Sequence, residues 1–125
     1  MNDVGKVILI VEDDPKTIKL FRDLLQISRY ETLEATDGKQ AIDLAREKMP
    51  DLILMDIQMP VMDGLEATKI LKTDPATKSI PVIALTASAM PEDHNKFMKT
   101  GGDAFITKPV DTRAFLATVK EYLEK

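Results

Sequence analysis

Val7-Ile8-Leu9-Ile10-Val11, followed at once by Glu12-Asp13-Asp14-Pro15, is the stretch on which the fold turns. A run that is apolar at every position does not read as a half-exposed antiparallel strand, which alternates. It reads as a parallel strand covered on both faces. The run ends abruptly in acid, and Asp14-Pro15 offers a helix cap with proline at the first helical position. A buried strand passing directly into a helix is the opening of a β-α-β unit.

The same grammar recurs outward from that stretch. Leu52-Ile53-Leu54-Met55 and Val82-Ile83-Ala84-Leu85 are again apolar throughout, and Ala104-Phe105-Ile106 is a fifth short run. Glu31-Thr32-Leu33-Glu34-Ala35 alternates, so it predicts an edge strand. Between the runs lie segments with helical spacing. Asp37 with Gln40 and Asp63 with Glu66 have capping-box spacing, Asp111 precedes the last segment, and Gly101-Gly102 is a helix stop. Strands and helices in strict alternation predict an α/β fold with a parallel sheet, right-handed crossovers and helices on both faces. One domain is expected over residues 1–125.

Composition removes several function classes. With 44% apolar and 30% charged residues the chain is not disordered. Seventeen Lys and Arg against 21 Asp and Glu leave a formal charge of −4, which disfavours direct nucleic-acid binding. Cysteine is absent, so thiol chemistry and zinc-thiolate sites are excluded. The single histidine, His94, reads as an exposed helix residue, and the seven methionines as core filler. The longest apolar run, Val7 to Val11, is too short to insert in a membrane, and Met1 to Lys6 holds no signal-peptide core, so a cytoplasmic location is expected.

In an open parallel sheet, ligands bind beyond the carboxyl ends of the strands. After the first strand come Glu12 and Asp13, the third ends in Asp56, the fourth in Thr86, and the fifth in Thr107-Lys108-Pro109. Each residue alone has a plain reading as a cap, a turn or a solvated side chain; their joint placement does not. Three carboxylates brought together repel unless a cation shares the space, and magnesium, which takes oxygen ligands and often a phosphate, is the economical choice. If a phosphoryl group enters as well, Lys108 and Thr86 can bind its oxygens by charge and by hydrogen bond.

These motifs, Ile8 to Asp14, Pro50 to Pro60 with Met62-Asp63-Gly64, Pro81 to Ala87, and Lys108-Pro109, resemble in order the receiver domain of two-component response regulators over nearly the whole chain. The resemblance implies a flavodoxin-like sheet of five strands in the order 2-1-3-4-5. It implies that Asp56 accepts a phosphoryl group from a histidine kinase or a histidine phosphotransfer protein. Glu12, Asp13 and Asp56 would place Mg2+, with the backbone carbonyl of Gln58 as a further ligand. Thr86 and Lys108 match the hydroxyl and amine that bind the phosphoryl oxygens, and Lys108-Pro109 is expected to be cis. Thr86 would then move toward the phosphoryl group and Phe105, at a switch position that is often tyrosine, would follow inward. Phenylalanine lacks the hydroxyl, which puts a switch relying on that group in doubt. A downstream protein would read the face of the fourth helix, fifth strand and fifth helix. The implied role is a signalling switch, not an enzyme, that catalyses its own phosphorylation and dephosphorylation. The type is the stand-alone one of chemotaxis and cell-cycle regulators, although a domain cut from a longer regulator would carry the same sequence.

Two rivals fare worse. A phosphatase of the haloacid-dehalogenase type needs a carboxylate two residues beyond its nucleophile, where this chain has Gln58. A flavin or nucleotide module needs a phosphate-cradling loop after the first strand, where Glu12-Asp13 would repel the phosphate. One pattern stays open. In the first helix Ile18, Leu20, Phe21, Leu24, Leu25 and Ile27 cover an arc of about 180°, wider than a core-facing stripe. Either the whole arc is buried, or one margin, with Ile18 the nearest candidate, joins Pro15, Pro109 and Val110 as a dock for the donor's helix.

Overall fold

The computed structural model describes residues 5–57, 62–87 and 90–124. Strands β1 (Val7–Val11), β2 (Glu31–Ala35), β3 (Leu52–Asp56), β4 (Val82–Thr86) and β5 (Ala104–Thr107) alternate with helices α1 (Pro15–Ile27), α2 (Gly38–Lys48), α3 (Gly64–Thr73), α4 (Pro91–Lys99) and α5 (Thr112–Leu123). All neighbouring strands pair in parallel, in the order β2-β1-β3-β4-β5. Every residue of β3 and β4 is buried, whereas in β2, at the edge of the sheet, Ala35 alone is buried.

Strand periodicity divides the core in two. Leu9, Val11, Ile53, Met55, Val82 and Ala84 face one side, where Ala41, Ile42 and Ala45 of α2, Ala67 and Leu71 of α3 and Phe97 of α4 cover them. Ile8, Ile10, Leu52, Leu54, Ile83 and Leu85 face the other, under Phe21 and Leu25 of α1 and Phe115, Val119 and Leu123 of α5. Phe21 and Phe115 stack at 5.0 Å across the α1–α5 seam. Because successive residues on a strand point to opposite faces, an uninterrupted apolar run feeds both layers at once.

Caps start four of the helices. Asp14 accepts from the Lys16 amide, Asp37 from Gln40, Asp63 from Glu66, and Asp111 from Arg113 and Ala114. The α4 start differs: Met90 supplies no side-chain cap and Pro91 takes the first turn. At the amino ends of the strands two carboxylates pin the backbone. Asp51 accepts from the Val7 amide and Asp103 from the Val82 amide, both at 2.8 Å, and Asp103 is paired to Lys72 at 2.9 Å. Among the described residues no helix is long and apolar enough to cross a membrane.

Candidate functional site

Strand order reverses between β1 and β3, where the chain runs outward to β2 on one side and to β4 and β5 on the other. The crevice beyond the carboxyl ends of those two strands is where side chains from separate segments converge. Glu12 and Asp13 follow β1, and Asp56 is the last residue of β3. One ligand oxygen from each of Glu12, Asp13 and Asp56 lies within 4.8 Å of the others. Glu12 and Asp56 are 2% and 6% exposed, whereas Asp13 faces solvent.

Local backbone geometry accounts for this convergence. The amides of Asp13 and Asp14 both point at Glu12 Oε2, at 3.2 Å each, so the turn into α1 folds back over the Glu12 carboxylate. Gly64, the first residue of α3, packs so tightly that a Cβ there would lie 2.5 Å from the Asp56 carbonyl oxygen. Only glycine permits that approach.

Lys108 reaches in from beyond β5. Its amine donates to Glu12 Oε1 at 2.9 Å and stands 3.8 Å from Asp56 Oδ2, spanning the crevice. The Lys108-Pro109 peptide is cis, in agreement with the resemblance. The Lys108 amide donates to the Thr86 carbonyl at 2.7 Å, carrying the β4–β5 ladder one residue past its last strand pair. Thr86 itself is buried at the end of β4, one residue beyond Leu85, the partner of Asp56 in the sheet.

Electrostatically the crevice sets the Lys108 amine against the carboxylates of Glu12 and Asp56, with Asp13 beside them. Burial pushes the Glu12 carboxyl above the usual glutamate range, and the adjacent Asp56 adds to the rise; the Lys108 amine and a backbone amide pull the other way without cancelling it. Burial pulls the Lys108 amine down, but its bond to Glu12 and the charges of Asp56 and Glu12 outweigh that and leave it raised. Two buried carboxylates and one exposed one, crowded together, are an oxygen donor set that a hard divalent cation takes, so the cluster could hold a metal ion.

The sequence expectations meet this geometry unevenly. Glu12, Asp13, Asp56 and Lys108 are brought together, and Thr86 stands on the adjoining strand. Gln58, expected to offer its carbonyl, lies outside the described residues. Phe105 is turned outward, 39% exposed, with its ring against His94 at 3.6 Å between centroids. His94 is half-buried and so is not the exposed helix residue that the sequence suggests. Nothing in a lone histidine signalled this contact, because it depends on how α4 lies across β5. Ile18 is buried, which corrects its assignment as a docking residue; Leu20 and Ile27 are the exposed apolar positions of α1.

Fold and site together define a doubly wound α/β domain with an acidic, lysine-bridged crevice at its switch point. The chain belongs to the response regulator receiver domain family, whose model matches residues 8–120. It is 51% identical over 118 residues to the polar-differentiation response regulator DivK of Brucella anthropi, covering 94% of this chain and 96% of that one. The receiver domain of a sensor histidine kinase from Pseudomonas aeruginosa, whose structure has a magnesium ion coordinated in the active site cleft, superposes with a TM-score of 0.91 at 30% identity, covering 98% of this chain and all (100%) of that one. Chemotaxis protein CheY4 of Vibrio cholerae superposes with a TM-score of 0.89 at 28% identity, covering 95% and 99% of the two chains.

These matches correct one expectation. A chain that is no enzyme and yet catalyses its own phosphorylation and dephosphorylation is a contradiction in terms, and membership of the receiver family with DivK relatives supports the signalling switch alone. Membership does imply a histidine kinase partner and a downstream target.

Proposed function

We propose that the chain is a cytoplasmic phosphorylation switch in which Asp56 accepts a phosphoryl group from the phosphohistidine of a kinase or phosphotransfer protein. The observation that carries this reading is the Lys108 amine lying between Glu12 and Asp56, at 2.9 and 3.8 Å, at the end of a central strand. In the transfer an Asp56 oxygen forms the new bond to phosphorus while the phosphorus–nitrogen bond of the donor breaks and the imidazole leaves. Glu12, Asp13 and Asp56 would hold Mg2+, which when bound supplies positive charge against the phosphoryl oxygens. Lys108 neutralises a further oxygen and the Thr86 hydroxyl hydrogen-bonds another. The added charge draws Thr86 toward it, Phe105 follows, and a target reads the altered surface of α4, β5 and α5. The donor's helix docks against exposed apolar residues of α1 and of the segment after β5, with Pro15, Leu20 and Pro109 as the candidates.

The test uses a phosphotransfer protein or kinase carrying labelled phosphohistidine, with Mg2+ present. Wild-type protein is expected to take up label at Asp56, and Asp56→Asn to take up none. Stoichiometric labelling of the Asn variant sinks the assignment.

A further inference from the structure

A phenylalanine at the switch position of β5 has no hydroxyl with which to hold either of two orientations, so something else must set where the ring sits. The structure supplies a partner. The imidazole of His94 lies against the Phe105 ring, centroids 3.6 Å apart and planes inclined by 33°. The contact joins α4 to β5 at a specific place. Phe97, one turn further along α4, is the helix's buried residue, and its ring covers Gly102 so closely that a Cβ there would lie 2.2 Å from it. Phe97 thus fixes the second half of α4 over the approach to β5, while His94 fixes the first half on the second residue of the strand. That first half begins at Met90, without a side-chain cap.

We propose that His94 is the positioning residue of the switch: its stack holds Phe105 outward, opposes the phosphorylated conformation, and breaks when the ring moves in. The proposal rests on the reading of Asp56 as phosphoryl acceptor and of Phe105 as the ring that moves. An aromatic stack between a helix and a strand then does here what a hydroxyl does where the switch residue is tyrosine. Because His94 belongs to α4, loss of the stack also loosens the first turns of that helix. The surface presented to a target changes through α4 as well as through Phe105.

Beryllium fluoride with Mg2+, an analogue of the bound phosphoryl group, gives the test on the full chain at fixed pH. In the free protein the carbon-bound ring protons of His94 are expected to be shifted upfield by the Phe105 ring current, and Phe105→Leu to abolish the shift. Saturation of wild type with beryllofluoride is expected to bring those resonances to the Phe105→Leu positions. Binding with an unmoved His94 shift overturns the inference alone. Failure of wild type to bind beryllofluoride overturns the acceptor reading and this inference with it. Affinity supplies a second readout that mere helix packing would not produce. His94→Ala is expected to bind beryllofluoride roughly 2- to 10-fold more tightly, the worth of one aromatic contact. His94→Tyr should restore the wild-type value, and His94→Ala should have no effect in a Phe105→Leu background. Equal tightening in both backgrounds would place the effect elsewhere than in the stack and overturn the proposal.

Discussion

Lys108 does two opposing things at once: it neutralises Glu12 and is itself held in place by that carboxylate, 2.9 Å away. Glu12 has a raised pKa in the folded chain, so the native state binds its proton more tightly than the unfolded state does, and ionised Glu12 costs stability as pH rises above the ordinary glutamate range. Removing the amine by Lys108→Ala increases that cost. We expect the variant to lose about 1–3 kcal/mol at pH 7, and visibly less at pH 5, where Glu12 can take up a proton. Urea unfolding of both proteins at the two pH values checks this, because Asp14, Asp23 and Asp74, whose carboxyls are held below the ordinary aspartate range, lose their contribution only at more acid pH than either measurement. Asp13→Asn acts in the opposite direction. It removes one of three crowded carboxylates and should raise the metal-free melting temperature by about 2–5 °C while weakening Mg2+ binding, both readable by thermal scans with and without the ion. A lowered melting temperature without metal would mean that the three groups do not repel. These residues are legible in the sequence because each stands within two positions of the end of an apolar run. The partnership of Glu12 with Lys108, 96 positions apart, is not, since it depends on β5 lying where its lysine can cross the crevice.

Among the elements, α4 is the one whose sequence says least. The other helices announce their starts with Asp caps, and the strands show as unbroken or alternating apolar runs, so helix starts and strand bounds are readable to within a residue: β3, β4 and β5 each extend one residue past their apolar run, into Asp56, Thr86 and Thr107. Those extensions are polar residues kept in the ladder by backbone pairing, which hydropathy does not see. For α4 the pattern yields one buried residue, Phe97, and its attachment is decided by Gly102 in the loop that leads to β5. Gly102→Ala is expected to cost about 1–3 kcal/mol in urea unfolding, because the new methyl group would collide with the Phe97 ring. Phe97→Leu should cost stability on its own and recover part of the loss when combined with Gly102→Ala. Strict additivity of the two changes would show that the ring and the glycine do not share the same space.

For the molecule as a whole, the single sheet with a separate apolar layer on each face has a consequence for how the chain opens. Unlocking either layer exposes the backs of β3 and β4, whose residues feed both, so the central strands cannot be released piecemeal. Amide hydrogens of Leu54 and Ile83 should therefore exchange with solvent deuterium only through global unfolding and report the full stability of the chain. Those of Asn95 and Lys96 in α4 should exchange much sooner through local fraying, and exchange followed residue by residue would rank them. If α4 proved as slow as the centre, the domain would be one cooperative block. The expected gradient means that the helix bearing the histidine contact can come loose, and be seized by a binding protein, many times over before the central strands ever part.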